Sequence, residues 1–333
     1  MRVLSLFDGI SAGQLALQRV GIDVDTYYAS EIDKYAIQVT KKNFPNTIHL
    51  GDITKWQGWD IDWSSIDLVI GGSPCQGFSF AGKQLNFEDP RSKLFFVFVD
   101  ICHRVIDENP KMKFLLENVR MKKEYQDVIT QYMGVSPIAI NSSLVSAQNR
   151  YRLYWTNISS VNEPNDKGIL LRDIIQNDVE DKYYLTPEAI EYMSRLRNGK
   201  PRWEYHKNPL NGKAACLTAN MYKGVPYGVL RIPEATKKGY VEIQPNEGVD
   251  LTFINSTTRR GRRMEDKSNC LTATNYDYCW YDGYICRKLT PIECERLQTF
   301  PDYWTDGISN SQRYKALGNS WTVDVITHIF KNL

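Results

Sequence analysis

Val3-Leu4-Ser5-Leu6-Phe7, followed by Asp8-Gly9-Ile10-Ser11-Ala12-Gly13 and a helical pattern from Gln14 to Val20, decides the fold class of this chain. The first run reads as a buried strand, the second as a Gly-rich turn, and together they make a strand–turn–helix unit. The alternation continues outward. Tyr27 to Ser30 reads as a strand and the stretch through Tyr35, Ile37 and Val39 as a helix; Leu68-Val69-Ile70 and Phe114-Leu115-Leu116 read as strands, and Phe95 to Val105 as a helix. Strands alternating with helices predict a doubly wound, mostly parallel α/β sheet, Rossmann-like, covered on both faces.

Composition narrows the function classes. The 333 residues are 42% hydrophobic and 24% charged, as in ordinary globular proteins, which excludes global disorder. No apolar run approaches the ~20 residues a membrane span needs. Met1 to Phe7 run straight into the strand pattern, without signal-peptide anatomy, and the expected location is cytoplasmic. Seven cysteines without a C-x-x-C pair and four scattered histidines argue against a disulfide framework and against a metal site.

In an open parallel sheet, ligands bind at the C-terminal ends of the strands. The turn from Phe7 to Gly13 lacks the full G-x-G-x-x-G phosphate fingerprint, yet its glycines let backbone approach a ligand. Glu31 ends the second strand, 18 residues after Gly13, where a carboxylate suits ribose hydroxyls. Asp52 can accept from an exocyclic amine. A nucleoside-bearing cofactor without pyrophosphate fits these turns, and S-adenosylmethionine is the candidate. The next strand delivers Gly71-Gly72-Ser73-Pro74-Cys75-Gln76-Gly77-Phe78-Ser79, a Gly-rich turn able to present a reactive thiolate. Glu117-Asn118-Val119 and Gln148-Asn149-Arg150-Tyr151-Arg152 follow at what read as further strand ends.

These motifs, in this order, resemble the DNA (cytosine-5) methyltransferases of bacteria and phages along nearly the whole chain. The matching stretches are Phe7–Gly13, Glu31, Asp52-Ile53, Pro74–Gln76, Glu117–Val119, Gln148–Arg152, Arg287–Pro301 and Gly318-Asn319-Ser320. Asp8, Ser11 and Trp321 depart from the family pattern; a small aliphatic residue is commoner at the last. The resemblance implies S-adenosylmethionine contacts at Phe7, Asp8, Gly9, Ser11, Gly13, Glu31, Ile32, Asp52, Ile53, Pro74 and Asn319, with S-adenosylhomocysteine as product and no metal. It implies that Cys75 is the nucleophile, that Glu117 handles N3, and that Arg152 and Arg150 orient base and loop. It also implies that the target cytosine is flipped out of duplex DNA. Gln76 to Lys93 is expected to form the closing lid, with Gln76, Ser79 and Lys83 on the DNA.

A catalytic domain is expected over 1–180, a loop-rich target-recognition domain over 181–308, and a C-terminal helix over 309–333. From Asn162 to Glu191 the net charge is −5, and from Arg195 to Lys238 it is +8, with Trp203, Tyr205, Tyr222 and Tyr227 interleaved. Aromatics among lysines and arginines suit a nucleic-acid surface. Arg259, Arg260, Arg262 and Arg263 are expected to meet DNA, as are Leu271 and Thr272. The last two belong to a short internal match, Cys216-Leu217-Thr218-Ala219 against Cys270-Leu271-Thr272-Ala273. A tRNA-methylating branch of the family carries Cys-Phe-Thr here; Cys-Leu-Thr points to DNA. The expected partners are double-stranded DNA and a cognate restriction endonuclease, and the chain is expected to be a monomer.

Overall fold

The computed structural model describes residues 1–74, 93–170, 173–174, 176, 179–180, 183, 196–197, 200–201, 204–206, 229–237, 239–243, 247–252, 258–270, 278–281 and 286–333. A seven-stranded sheet organises the described residues. Its strands are β1 (Arg2–Leu6), β2 (Thr26–Ser30), β3 (Ile48–His49), β4 (Leu68–Gly71), β5 (Lys113–Val119), β6 (Ile138–Asn141) and β8 (Tyr151–Thr156). The order is β3-β2-β1-β4-β5-β8-β6; the first five run parallel, and β8 is antiparallel to both β5 and β6. Between β6 and β8 lies a two-residue strand, β7 (Gln148–Asn149).

Side chains along the strands alternate between two cores, as a sheet covered on both faces requires. Val3, Leu68, Ile70 and Leu115 join α1 (Ala12–Val20) on one face; Leu4, Leu6, Val69, Phe114 and Leu116 join α3 (Lys93–Glu108) and α4 (Lys123–Met133) on the other. Helix α2 (Lys34–Asn43) begins at Asp33, whose carboxylate accepts from the Tyr35 and Ala36 amides.

Two expectations about the C-terminal third change. Helix α5 (Pro291–Leu297) falls inside the stretch expected to belong to the loop-rich domain. Thr290 and Glu293 form a reciprocal capping box at its start, with proline in the first turn. Leu289, Cys294, Leu297, Phe300 and Trp304 pack into the core of the large sheet, so the return to that core begins well before 309. The single C-terminal helix is also two, α6 (Asn310–Asn319) and α7 (Val323–Phe330). The chain turns extended at Ser320, where the Gly318 and Ser320 carbonyls accept from Arg150 instead of continuing a helical ladder.

Between 204 and 288 the described strands are short; they pair antiparallel, except Ser268–Asn269, which runs parallel to β7. Glu204–His206, Val229–Pro233 and Tyr240–Ile243 form one sheet; Arg263–Met264, Glu247–Asp250, Tyr278–Tyr281 and Cys286–Lys288 form another. Among the described residues, no helix is long and apolar enough to cross a membrane.

Candidate active site

Register aligns the strand ends that build the site. Leu6 pairs with both Ser30 and Gly71, and Gly71 with Leu116, so the chain leaves β1, β2 and β4 at one level and Glu117 lies at that same edge. Glu117 is inside β5 rather than past it. Because β8 runs antiparallel, its first residues reach this edge too, with Arg152 paired to Val119. A cavity of about 580 Å³ opens along this edge, lined among others by Phe7, Gly9, Glu31, Ile32, Asp52, Ile53, Pro74, Glu117, Arg152 and Asn319.

The nucleoside end is built from backbone donors and carboxylates. Glu31 Oε2 accepts from the Gly9 amide (2.9 Å), and Oε1 from the Ile32 (2.7 Å) and Asp33 (2.8 Å) amides. The first and second turns are thereby tied together, with the carboxylate held at the cavity wall. Asp52 accepts from the Thr54 amide and hydroxyl, which hold its carboxyl below the usual carboxylate range. Ile32 is 75% exposed, an apolar face that invites a ring to cover it. Phe7 and Ser11 hold left-handed backbone (φ 58° and 59°), the kind of outlier that concentrates at ligand sites. Carboxylates for hydroxyls and an amine, beside a bare apolar face, fit the adenosine part of S-adenosylmethionine.

Three of the expected cofactor contacts are not on the cavity wall. Asp8 turns inward and accepts from the hydroxyls of Ser5 (2.7 Å), Ser11 (2.5 Å) and Tyr27 (2.9 Å). Burial pushes its carboxyl up to about 6, against these hydrogen bonds. Ser11 is fully buried beneath it. A Cβ on Gly13 would stand 2.3 Å from Ile70 Cδ1, so this glycine serves helix–sheet packing.

The other end of the cavity is ionic. Arg152 Nε lies 2.9 Å from Glu117 Oε1, and the Trp321 indole donates to Glu117 Oε2 at 3.1 Å. A Cβ on Gly72 would come within 2.8 Å of that same Oε2, so a side chain here would push the Glu117 carboxylate aside. Arg150 is buried; besides the α6–α7 carbonyls, it reaches Cys270 Sγ at 2.9 Å, and Arg152 reaches the same sulfur at 3.2 Å. Burial opposes ionisation of Cys270, but the two guanidiniums outweigh it and hold the thiol below its ordinary value. Asn118, also buried, donates to the Ser73 carbonyl and hydroxyl, fixing the loop that leads through Pro74. Sequence reasoning gave Asn118, Trp321 and Cys270 no role at the site; the signal for Trp321 was its departure from the family pattern. Cys75, Gln76, Ser79, Lys83, Leu271 and Thr272 lie outside the described residues.

The arginine cluster does not present one basic face. Arg262 is fully buried, its amide donating to Glu234 and its guanidinium to the Asp250 carbonyl, which removes it from DNA. Arg263 forks onto Glu247 and reaches Glu265. Arg260 is exposed while donating to the Ala235 carbonyl, and Arg259 lies 3.8 Å from Asp250. Tertiary partners thus claim the two arginines nearest the strand Arg263–Met264.

Comparison with known proteins agrees with this geometry. The family model for C-5 cytosine-specific DNA methylases matches residues 1–333. The type II methyltransferase M.HpaII of Haemophilus parainfluenzae is 30% identical over 97% of this chain and 86% of its own length. The orphan methyltransferase M.SPRI of Bacillus phage SPR is 28% identical over all of this chain and 97% of its own. A crystal structure of a Spodoptera frugiperda DNMT2 variant shares the fold, with a TM-score of 0.59 at 20% identity, over 99% of this chain and 98% of its own. The chain therefore belongs to the C-5 cytosine-specific DNA methylase family, S-adenosylmethionine-dependent enzymes that methylate cytosine in DNA.

Proposed function

We propose that this chain flips a cytosine out of duplex DNA at one short sequence and methylates its C5 using Cys75, Glu117, Arg150 and Arg152. Cytosine C5 is a poor nucleophile. Addition of the Cys75 thiolate to C6 forms a C–S bond and pushes electron density to C5 and N3. Glu117, protonated, donates to N3 and relieves that charge. Arg152 holds Glu117 and faces the base, while Arg150 fastens the α6–α7 turn behind it. When bound, S-adenosylmethionine would supply an electrophilic methyl group to C5, the sulfonium–methyl bond breaking as the C5–methyl bond forms and leaving a neutral thioether. Loss of the C5 proton to water or another base then restores the ring and expels the Cys75 thiolate. Glu31 and Asp52 would hold the cofactor's hydroxyls and amine, beside Phe7, Ile32 and Ile53.

The observation that carries this reading is the Arg152–Glu117 pair in the wall of a cavity that Pro74, the residue before Cys75, also lines. The catalytic core comprises residues 1–180 together with the segment from Leu289 onward; the intervening region contacts the DNA. Methylation of one short site would shield it from an endonuclease of the same specificity. The test is methyl transfer from S-adenosylmethionine to duplex DNA and to tRNA, with positions read by bisulfite sequencing. We expect 5-methylcytosine in duplex DNA at one sequence. Label confined to tRNA would overturn the substrate assignment.

A further inference from the structure

Strand Ser268–Asn269 joins the intervening region to the catalytic core. It pairs in parallel with β7, Ser268 opposite Gln148 and Asn269 opposite Asn149. The Ser268 amide donates to the Ala147 carbonyl, and Lys267 Nζ donates to the Ser146 carbonyl at 3.1 Å, so the pairing is anchored on its N-terminal side. One residue further along both segments, Cys270 meets Arg150, and its sulfur takes N–H groups from Arg150 (2.9 Å) and Arg152 (3.2 Å). Arg152 uses its Nε on Glu117. An unbroken path of polar contacts therefore runs from the segment preceding Leu271 and Thr272, through one sulfur and one guanidinium, to the carboxyl that handles the base. A cysteine used as a small apolar filler is packed among hydrocarbon. This one faces two cations.

We propose that Cys270 is a positioning residue: its sulfur sets the angle of the Arg152 guanidinium, so that seating of the intervening region on the core completes the Glu117–Arg152 pair. The idea rests on the reading of Glu117 and Arg152 as the base-handling pair. It assigns to the Cys270-Leu271-Thr272 motif a link between target contact and chemistry, through the register of a two-residue strand.

The experiment measures single-turnover methyl transfer, cofactor affinity and DNA affinity for Cys270→Ala, Cys270→Ser, Arg152→Ala, the Cys270→Ala/Arg152→Ala pair and Glu117→Gln. Misplacing a catalytic group by about 1 Å costs on the order of a hundredfold, so Cys270→Ala should lose about ten- to a hundredfold in rate with both affinities near wild type. Cys270→Ser, whose hydroxyl oxygen accepts the same N–H groups, should recover most of that loss. In the Arg152→Ala background, Cys270→Ala should cost nothing further, because a residue acting through Arg152 has no effect without it. A wild-type rate in Cys270→Ala would overturn the proposal, as would additive losses in the double variant, or a serine variant as slow as the alanine one. If Glu117→Gln is fully active, the underlying reading of the pair has failed. If Glu117→Gln is inactive and Cys270→Ala is not, only the proposal about Cys270 has failed.

Discussion

Arg152 Nε stands 2.9 Å from Glu117 Oε1, and it does so because the antiparallel strand β8 is inserted between β5 and β6. Glu117 comes near the C-terminal end of β5 and Arg152 near the N-terminal end of β8, so opposite strand directions bring both to one edge. On the proposed mechanism, Glu117→Gln would remove the proton that relieves charge at N3. The rate should fall by about 10²–10⁴-fold, the usual range for general acid–base groups, with cofactor affinity retained. Rapid-quench methyl transfer and calorimetry together check this; a variant with the wild-type rate would remove Glu117 from the chemistry.

The cofactor end gives a separable outcome. Glu31→Ala should weaken S-adenosylmethionine binding by about 1–3 kcal/mol, the range for hydrogen bonds to a charged group left unmade. DNA affinity should hardly change. Unchanged cofactor affinity by calorimetry would reduce Glu31 to a tie between the first two turns.

Asp8 makes stability depend on pH. Burial raises its carboxyl from an ordinary 3.8 to about 6, so between those values the folded chain keeps a proton that the unfolded chain has released. Stability from this group is full below the lower value and falls as pH rises through the upper one, by up to about 3 kcal/mol. Asp8→Asn should remove that dependence. Urea unfolding of wild type and variant at about pH 4 and about pH 7 should show the wild type losing ground relative to the variant as pH rises. A difference independent of pH would contradict the assignment.

Arg262 and Arg260 should part company. Arg262→Ala removes a buried guanidinium that donates to the Asp250 carbonyl and lies in the field of Asp250 and Glu234, and should cost about 1–3 kcal/mol of stability. Its methylation profile over a random-sequence DNA library should keep the wild-type preference. Arg260→Ala, on the surface, should leave stability alone and change DNA affinity or sequence choice. A relaxed sequence preference in a stably folded Arg262→Ala would return that arginine to the DNA.

The parallel half of the sheet was legible because Val3–Phe7, Tyr27–Ser30 and Leu68–Ile70 are apolar runs bounded by glycines and acids, and local pattern suffices for such strands. Helix α5 was not, because it buries Glu293 and Glu295 as well as Cys294 and Leu297 and so shows no apolar stripe. Among the described residues, Glu295 is met by groups farther along the chain: the Tyr303 amide, the Thr305 amide and hydroxyl, and Arg313. Its local signals were the Thr290–Glu293 capping box and Pro291 in the first turn. The arginine cluster misled in the same way: charge in sequence suggests solvent, and the partners that bury Arg262 are Glu234 and Asp250, which no local pattern connects to it. That Glu31 and Asp52 line the cavity follows from their positions just after strands. Cys270 was visible as half of a repeated motif, but its sulfur acquires meaning only from the register of Ser268–Asn269 on β7.

The central claim is covalent catalysis by Cys75, and duplex DNA carrying 5-fluorocytosine at the target tests it most directly. Fluorine cannot leave C5 as a cation, so after methyl transfer the C6–sulfur bond cannot be resolved. With S-adenosylmethionine present, the wild-type chain should be trapped on the DNA, with the adduct mapping by mass spectrometry to Cys75, and Cys75→Ser should give neither adduct nor turnover. An adduct on another cysteine, Cys270 included, or methyl transfer by Cys75→Ser, would contradict the account.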